Sequence, residues 1–208
     1  MKLERFTILD SSLTAIIYTA GIIGIRFLPD FFLKTSFISI LIPLSLYLFR
    51  VKPKGKDILL ILSVYSIGFF AEWIGVRFGW LFGSYKYGDS LGIKLDGVPL
   101  IIGANWLLLS LVSREVISKL LNNKILIIIL SSILMVLIDF LIEPISDNLN
   151  FWIWENNIIP YSNYLDWFLI ALLNQTLFSF LGYKKDMFHW SLISVSYTHL
   201  TLPTNTTV

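Results

Sequence analysis

The sequence of 208 residues contains no cysteine, only two histidines and few charged side chains. Without cysteine the chain can form no disulfide, thiolate nucleophile or Cys-ligated metal site. His189 and His199 form no cluster, which argues against a histidine-rich di-iron centre. Charged residues make up 14% of the chain, against roughly 25% in soluble domains, and the formal net charge of +2 does not indicate a nucleic-acid partner.

The common nucleotide-binding and nucleophile motifs are also missing. No G-x-G-x-x-G follows a predicted strand, and neither G-x-x-x-x-G-K-[ST] nor G-x-S-x-G occurs. Flavin, nicotinamide and ATP therefore have no support, and we expect neither a cofactor nor a metal. The chemistry that remains is acid and base work by carboxyl groups in an apolar cavity, or transport through such a cavity.

Long apolar runs dominate what is present, since 56% of the residues are hydrophobic. A helix needs about 20 predominantly apolar residues to cross a bilayer. Six segments approach or reach this length, at residues 9–28, 31–49, 58–80, 98–120, 125–145 and 164–181. We therefore predict an all-α fold, a polytopic membrane helical bundle of about six transmembrane helices, which forms one domain over residues 1–195.

The basic residues of the connections predict the orientation of this bundle. With six crossings, one side receives Lys2, Arg5, Arg50, Lys52, Lys54, Lys56, Lys119, Lys124, Lys184 and Lys185. Short loops rich in Lys and Arg stay on the cytoplasmic side. We therefore expect a multi-pass protein of the cell membrane with both termini in the cytoplasm and the first helix retained.

Three polar side chains are predicted at one depth within the membrane. At 1.5 Å rise per residue, Glu72 lies about 20 Å and Asp139 about 21 Å from the cytoplasmic start of their helices. Asn105 lies about 10 Å below the outer start of its helix, which is a similar level in a core of roughly 30 Å. An ionisable group inside a membrane is costly and indicates a functional site.

Asp139 and Glu143 are separated by four residues, so both carboxyl groups point the same way from one helix. Two carboxyls in a dry pocket cannot both ionise easily, and one is expected to hold its proton near neutral pH as a general acid. Structural roles stay open: Glu72 and Asp139 can serve as hydrogen-bonded anchors, and Glu143 and Arg77 can extend to the headgroups or pair with each other.

Two further patterns surround these groups. Ala71, Gly75, Gly79 and Gly83 recur every four residues, which indicates either close helix packing or a groove for a flat apolar ligand. Segment 146–163 has no Lys or Arg but is rich in Trp and Tyr, which favour the membrane interface. We expect this segment to lie along the outer surface as a lid.

Two blocks of residues carry a resemblance to a known family. The first runs Glu72-x-x-Gly75-x-Arg77-x-Gly79, Phe82-Gly83-x-Tyr85-x-Tyr87, Leu91-Gly92, Gly97-Val98-Pro99 and Trp106; the second runs Asp139, Glu143-Pro144, Trp152-x-Trp154, Pro160-Tyr161-Ser162-Asn163-Tyr164 and Trp167. Together they cover roughly residues 69–168 and resemble the multi-pass carotenoid biosynthesis proteins, which include carotenoid 1,2-hydratases and archaeal bisanhydrobacterioruberin hydratases. Asp166 departs from the pattern, which has a glycine there.

This resemblance implies cofactor-free addition of water across the terminal C1=C2 bond of an acyclic carotenoid. Its partners would be the acyclic carotenoid substrate, the lipid bilayer and other carotenoid pathway enzymes. We assign acid and base roles to Glu72, Asp139 and Glu143, with Asp139 as the acid and Glu72 acting on the water, although these two roles are exchangeable. Residues expected to bind the substrate, the water or the cation are Arg77, Tyr85, Tyr87, Asn105, Trp106, Trp152, Trp154, Asn163 and Trp167.

Other functions fit the same residues. Cyclisation or isomerisation of a carotenoid or isoprenoid also begins with a proton, and a membrane transporter or lipid-binding protein would use the carboxyls as a proton relay. Residues 196–208 are polar, Thr-rich and unlike the preceding sequence. We expect this tail to be non-native, resembling a translated sequencing adapter, and assign it no function.

Overall fold

The computed structural model describes residues 2–183 and 187–200, with side chains over 8–183 and 187–195. Its described part contains eight α-helices, α1 (Lys2–Phe27), α2 (Pro29–Lys34), α3 (Ile38–Val51), α4 (Lys56–Phe78), α5 (Ile101–Leu120), α6 (Lys124–Ile142), α7 (Tyr161–Phe180) and α8 (Phe188–Leu200). Four short strands accompany them, β1 (Tyr85–Tyr87), β2 (Lys94–Leu95), β3 (Val98–Pro99) and β4 (Trp152–Trp154). These strands were not part of the all-α expectation.

Capping residues, proline and glycine in the sequence mark the ends of α4 and α6. The Asn123 side chain accepts hydrogen bonds from the Ile125 and Leu126 amides and so caps the start of α6. At its other end α6 gives way to a 3₁₀ turn, Glu143–Ile145, because Pro144 cannot continue the α-helical bonding. Gly79 closes α4 in the left-handed conformation, with φ of 66°.

Four helical segments are long and apolar enough to cross a membrane: Ile8–Phe27, Lys56–Phe78, Ile101–Leu120 and Lys124–Ile145. The fold is therefore a helical membrane bundle. Six crossings and cytoplasmic termini stay predictions. The second expected crossing, 31–49, is divided between α2 and α3, and α3 has only 14 residues.

Side-chain hydroxyls explain that division. Thr35 and Ser36 donate hydrogen bonds back to the carbonyls of Phe31 and Phe32, at 3.0 and 3.1 Å. Such bonds compete with the helical pattern and favour a turn. The apolar composition of 31–49 does not predict the break between α2 and α3, because the break depends on the side chains of two small polar residues, Thr35 and Ser36.

Helix α8 was not predicted. It packs against α1 and α5, and Trp190 on it is fully buried and donates a 3.1 Å hydrogen bond to Thr14 on α1. Ser191 and Ser194 lower the hydropathy of this stretch although both are buried. Of the expected non-native tail 196–208, residues 196–200 form the end of α8, and the remainder lies outside the described residues. Lys184 and Lys185, which were used for orientation, also lie outside them.

Helix α5 is the centre of the bundle and contacts α3, α4, α6, α7 and α8. Its buried side chains include Trp106, Leu107 and Leu111, which form the core with Met135 of α6 and Phe178 of α7. Since α4, α6 and α7 pack around one side of α5, polar side chains at similar depth on these helices face the same interior volume.

One end of this volume is closed by a two-stranded antiparallel sheet of β1 and β4. Tyr85 pairs with Trp154, and Tyr87 pairs with Trp152. Successive side chains of a strand point to opposite faces, so the four aromatic rings share one face of the sheet. The segment expected as a lid thus contributes β4 to a cap over the helix ends.

Candidate active site

Glu72 is surrounded by hydrogen-bond donors. It lies on α4 and is 3% exposed. Its Oε2 accepts bonds from the hydroxyls of Tyr85 and Tyr87, at 2.5 and 2.7 Å. Its Oε1 accepts a bond of 2.9 Å from the indole nitrogen of Trp106. Because an ionised carboxyl only accepts, three donors stabilise Glu72 as a carboxylate.

The two tyrosines of this group lie on β1, outside the membrane-spanning helices. Burial raises the pKa of each hydroxyl well above the ordinary value, and the neighbouring Glu72 carboxylate raises it further. Tyr85 and Tyr87 therefore remain protonated and act as donors to Glu72 throughout the physiological pH range.

Glu143 is held in the same manner by a second set of donors. The indole nitrogens of Trp152 and Trp154 donate to its Oε2, at 2.9 and 2.7 Å. The amide nitrogen of Asn163 donates to its Oε1 at 2.8 Å. The alternation of β4 places both indoles on the carboxyl side of the strand, and α7 supplies Asn163 from its first turn.

Asp139 differs from the other two carboxyls in having little support. It is 3% exposed, and among the described residues its carboxyl accepts a single long hydrogen bond of 3.4 Å, from Asn163 Nδ2. The same amide nitrogen donates its other hydrogen to Glu143. A buried carboxylate with one weak donor and two acidic neighbours is unfavourable, so Asp139 is the group best placed to carry a proton.

The three carboxyls share a small cavity of about 30 Å³, which is room for about one water molecule. Six of its fourteen lining residues are aromatic. Trp167 stacks on Trp106 with ring centroids 3.9 Å apart, and Tyr85 packs on Trp154 at 5.1 Å. The cavity thus combines carboxyl groups with aromatic rings, which are able to stabilise positive charge.

The loop between α4 and β1 places Phe82 in this wall. Phe82 is 1% exposed and adopts φ of 65°, a conformation that is unusual for a residue with a side chain. Its amide donates a 2.7 Å hydrogen bond to Asp166 Oδ2 on α7. The residue that departs from the family pattern therefore anchors this loop.

The structure brings together most of the residues that the sequence indicates. Those that line the cavity are Glu72, Tyr85, Tyr87, Asn105, Asp139, Glu143, Trp152, Trp154, Asn163 and Trp167. Trp106 is fully buried and lies behind the wall, where it contacts Glu72 and Trp167. Arg77 lies elsewhere: its side chain is 59% exposed, and its guanidinium is 3.9 Å from Asp96.

Four further lining residues were not predicted: Phe82, Ile102, Leu109 and Ile142. Helical spacing was an available signal for three of them. Ile102 and Leu109 lie three before and four after Asn105 on α5, and Ile142 lies three after Asp139 on α6, so each shares a helix face with a predicted residue. Phe82 reaches the cavity only through the loop conformation.

Gly75 in the pattern of small residues lies against the loop that follows α4. A Cβ on Gly75 would stand 2.9 Å from the Tyr85 hydroxyl and 3.0 Å from the Leu81 carbonyl oxygen. Gly83, which lies beyond the end of α4 with φ of 110°, lies against Pro160. Gly75 therefore makes room for the loop that carries Tyr85, and the expected helix packing or ligand groove stays a prediction. Among the described residues, no group of three or more Asp, Glu or His is arranged to hold a metal ion.

The fold and the site together define a helical membrane protein with buried carboxyl groups around an aromatic-lined cavity. The family model for carotenoid biosynthesis proteins matches residues 33–206. The chain therefore belongs to the carotenoid biosynthesis protein family.

One curated relative is informative. The bisanhydrobacterioruberin hydratase of Haloarcula japonica is 30% identical over 199 residues, a match that covers 85% of this chain and 65% of the relative. The chain thus spans slightly less than two thirds of that relative's length. No solved structure matches this chain.

Proposed function

We propose that this protein is a carotenoid hydratase of the hydro-lyase type, a multi-pass protein of the cell membrane that adds water across the terminal C1=C2 bond of an acyclic carotenoid. Family membership and the relative named as a hydratase support the substrate class. The observation that carries the reaction type is the contrast between Asp139, with one weak donor, and Glu72, with three, around a water-sized cavity.

Asp139 is the acid in this proposal. Its O–H bond breaks, a C–H bond forms at C2, and the electron pair of the double bond leaves C1 as a tertiary cation. Glu143 favours the protonated form of Asp139 because it is itself held as a carboxylate by two indoles and an amide. A protonated carboxyl beside a fixed negative charge is a suitable general acid.

Glu72 handles the water. The water oxygen bonds to C1, and one proton of this water passes to the Glu72 carboxylate. The product is a tertiary alcohol at C1. This proton must then return to Asp139 within the cavity, so that both groups regain their starting states. Water is the only co-reactant, and no electrons are exchanged, so the step is balanced without an oxidant or reductant.

The aromatic walls stabilise the intermediate. Tyr85, Trp152 and Trp154 line the cavity, and a cation held over the face of such a ring would gain about 0.5–2 kcal/mol. Asn105 and Asn163 line the same space and supply amide groups to hold the water. A cation that is shielded in this way would be captured by the one water for which the cavity has room, rather than lost to other reactions.

The test is expression of the chain in cells that accumulate lycopene, followed by mass analysis of the pigments. The expected product is heavier by one water for each hydrated end. Asp139→Asn should abolish the product with expression intact, and Glu72→Gln should reduce it at least about a hundredfold, the size expected for a lost acid or base.

A matched control is Asp147→Asn, which changes an exposed carboxyl in the connection after α6 and should keep the wild-type product. Product formation by Asp139→Asn at the wild-type rate would reject Asp139 as the acid. A pigment of unchanged mass but altered retention would show cyclisation or isomerisation instead. Proton-coupled flux without a new pigment would show transport.

A further inference from the structure

A second and much larger cavity adjoins the carboxyl cavity. Its volume is about 970 Å³, at the upper end of the range of about 300–1,000 Å³ for ligand sites. One wall is α5, from Ile102 to Val112, and the opposite wall is α1, where Gly21 and neighbouring residues line the space. The lining is predominantly apolar.

The two cavities share part of their walls. Ile102, Asn105, Leu109, Ile142 and Trp152 line both of them. The side-chain amide of Asn105 makes no hydrogen bond among the described residues, and Asn105 lines both the carboxyl cavity and the larger, mainly apolar one. An extended ligand in the larger cavity would present its end to Asp139 and Glu72.

The dimensions favour one type of occupant. From Ile102 to Val112 the larger cavity follows α5 for about 15 Å, at 1.5 Å per residue. A linear carotenoid is about as long as the hydrocarbon core is thick, roughly 30 Å. The cavity thus accommodates about half of such a molecule, and apolar walls match a conjugated chain that has no polar groups to satisfy.

We propose that the larger cavity binds the half of the acyclic polyene chain next to the reacting end, and that the shared wall at Asn105 and Trp152 positions the terminal double bond between the two spaces. This assignment rests on the proposed hydratase function. It makes α1, which carries none of the matched motifs, the outer wall of the substrate site.

Gly21 provides a direct way to fill this cavity. A Cβ at Gly21 would meet no atom within 4 Å, so side chains fit there without displacing the fold. Replacing a glycine inside a helix also favours the helical conformation, because glycine loses the most backbone freedom on folding. Gly21→Ala, Gly21→Leu and Gly21→Phe therefore form a series that reduces the cavity volume in steps while leaving the carboxyl cavity unchanged.

The experiment measures lycopene retained by the purified full chain in lipid nanodiscs, by absorbance, together with hydration kinetics. Retained pigment should fall progressively from Ala to Phe, with Gly21→Phe lowering kcat/KM by about tenfold or more, mainly through KM. Ile23→Phe adds the same ring on the exposed side of α1 and should match the wild type. Asp139→Asn should retain pigment without converting it.

The outcomes separate this proposal from the proposed function. If the wild type hydrates lycopene and the Gly21 series leaves both retention and KM unchanged, the cavity holds lipid or nothing relevant, and the proposal is overturned while the hydratase stands. If retention depends on the residue at position 21 but no variant yields a hydrated product, the polyene site is supported and the hydratase function fails.

Discussion

The amide nitrogen of Phe82 donates a 2.7 Å hydrogen bond to the Asp166 carboxylate, which ties the loop after α4 to α7. Phe82 lines the carboxyl cavity in a left-handed conformation. A charged acceptor on a partly buried amide contributes about 1.5–3 kcal/mol. The residue that breaks the expected family pattern thus compensates for a strained residue of the site.

This contact predicts the effect of replacing Asp166. Asp166→Ala should lower the free energy of unfolding by about 1–3 kcal/mol and reduce hydration, because the Phe82 amide loses its acceptor. Asp166→Asn keeps an oxygen acceptor and should retain most of both properties. Thermal unfolding in detergent and product yield are measured for both variants. Equal losses of stability and of product in Asp166→Ala and Asp166→Asn would contradict the hydrogen-bond explanation.

The hydroxyl of Tyr85 is predicted to matter through Glu72. Tyr85→Phe removes the 2.5 Å donor and leaves the carboxylate with two partners. Since a hydrogen bond to a charged group contributes about 1.5–3 kcal/mol, turnover should fall about ten- to a hundredfold. Tyr161→Phe, at a 95% exposed tyrosine, is the control and should behave as the wild type.

The raised pKa values of Tyr85 and Tyr87 predict how stability depends on pH. Because the pKa in the folded protein lies above that in the unfolded chain, the contribution of these hydrogen bonds is fully present below pH about 10. It is lost only as the pH rises through the folded-state pKa.

The measurement is thermal unfolding of the wild type and of the Tyr85→Phe, Tyr87→Phe double variant. The difference in unfolding free energy should stay constant from pH 7 to about 10. A difference that shrinks between pH 7 and 9 would mean that one hydroxyl titrates within that range.

The two indole donors of Glu143 are predicted to act together. Trp152→Phe and Trp154→Phe each keep a ring face but remove one N–H from the same Oε2 atom. Each substitution should raise the activation free energy by about 1–1.5 kcal/mol, which lowers turnover near tenfold. The effect of the double variant should differ from the sum of the two single effects, because the two indoles donate to the same oxygen. Trp80→Phe, at a 76% exposed indole, should have no such effect on kcat.

Gly75 is predicted to tolerate no side chain. A Cβ there would lie within 3.0 Å of the Leu81 carbonyl oxygen, which belongs to the backbone and cannot move aside easily. Gly75→Ala should cost about 1–3 kcal/mol of stability and displace Tyr85 from Glu72. Leu62→Ala changes an exposed position of the same helix, and comparison of melting temperature and turnover between the two variants isolates the effect of the contact.

Helix positions and end signals were readable because they depend on local sequence. The apolar runs located both ends of α4 to α7 within about three residues and the end of α1 within one, although α1 begins seven residues before the predicted segment. The break between α2 and α3, the buried α8 and the four strands were not readable, since they depend on hydroxyl back-bonding and on contacts between distant segments.

Composition and the rise per residue were enough to predict an apolar helical membrane protein, with carboxyl groups expected at one depth, because both are properties of each helix alone. The packing of separate elements establishes which carboxyl has a single weak donor, that Arg77 lies beside Asp96, and that α1 lines the larger cavity. Those facts depend on how separate helices and the β1–β4 cap meet, and local sequence does not encode the distances between them.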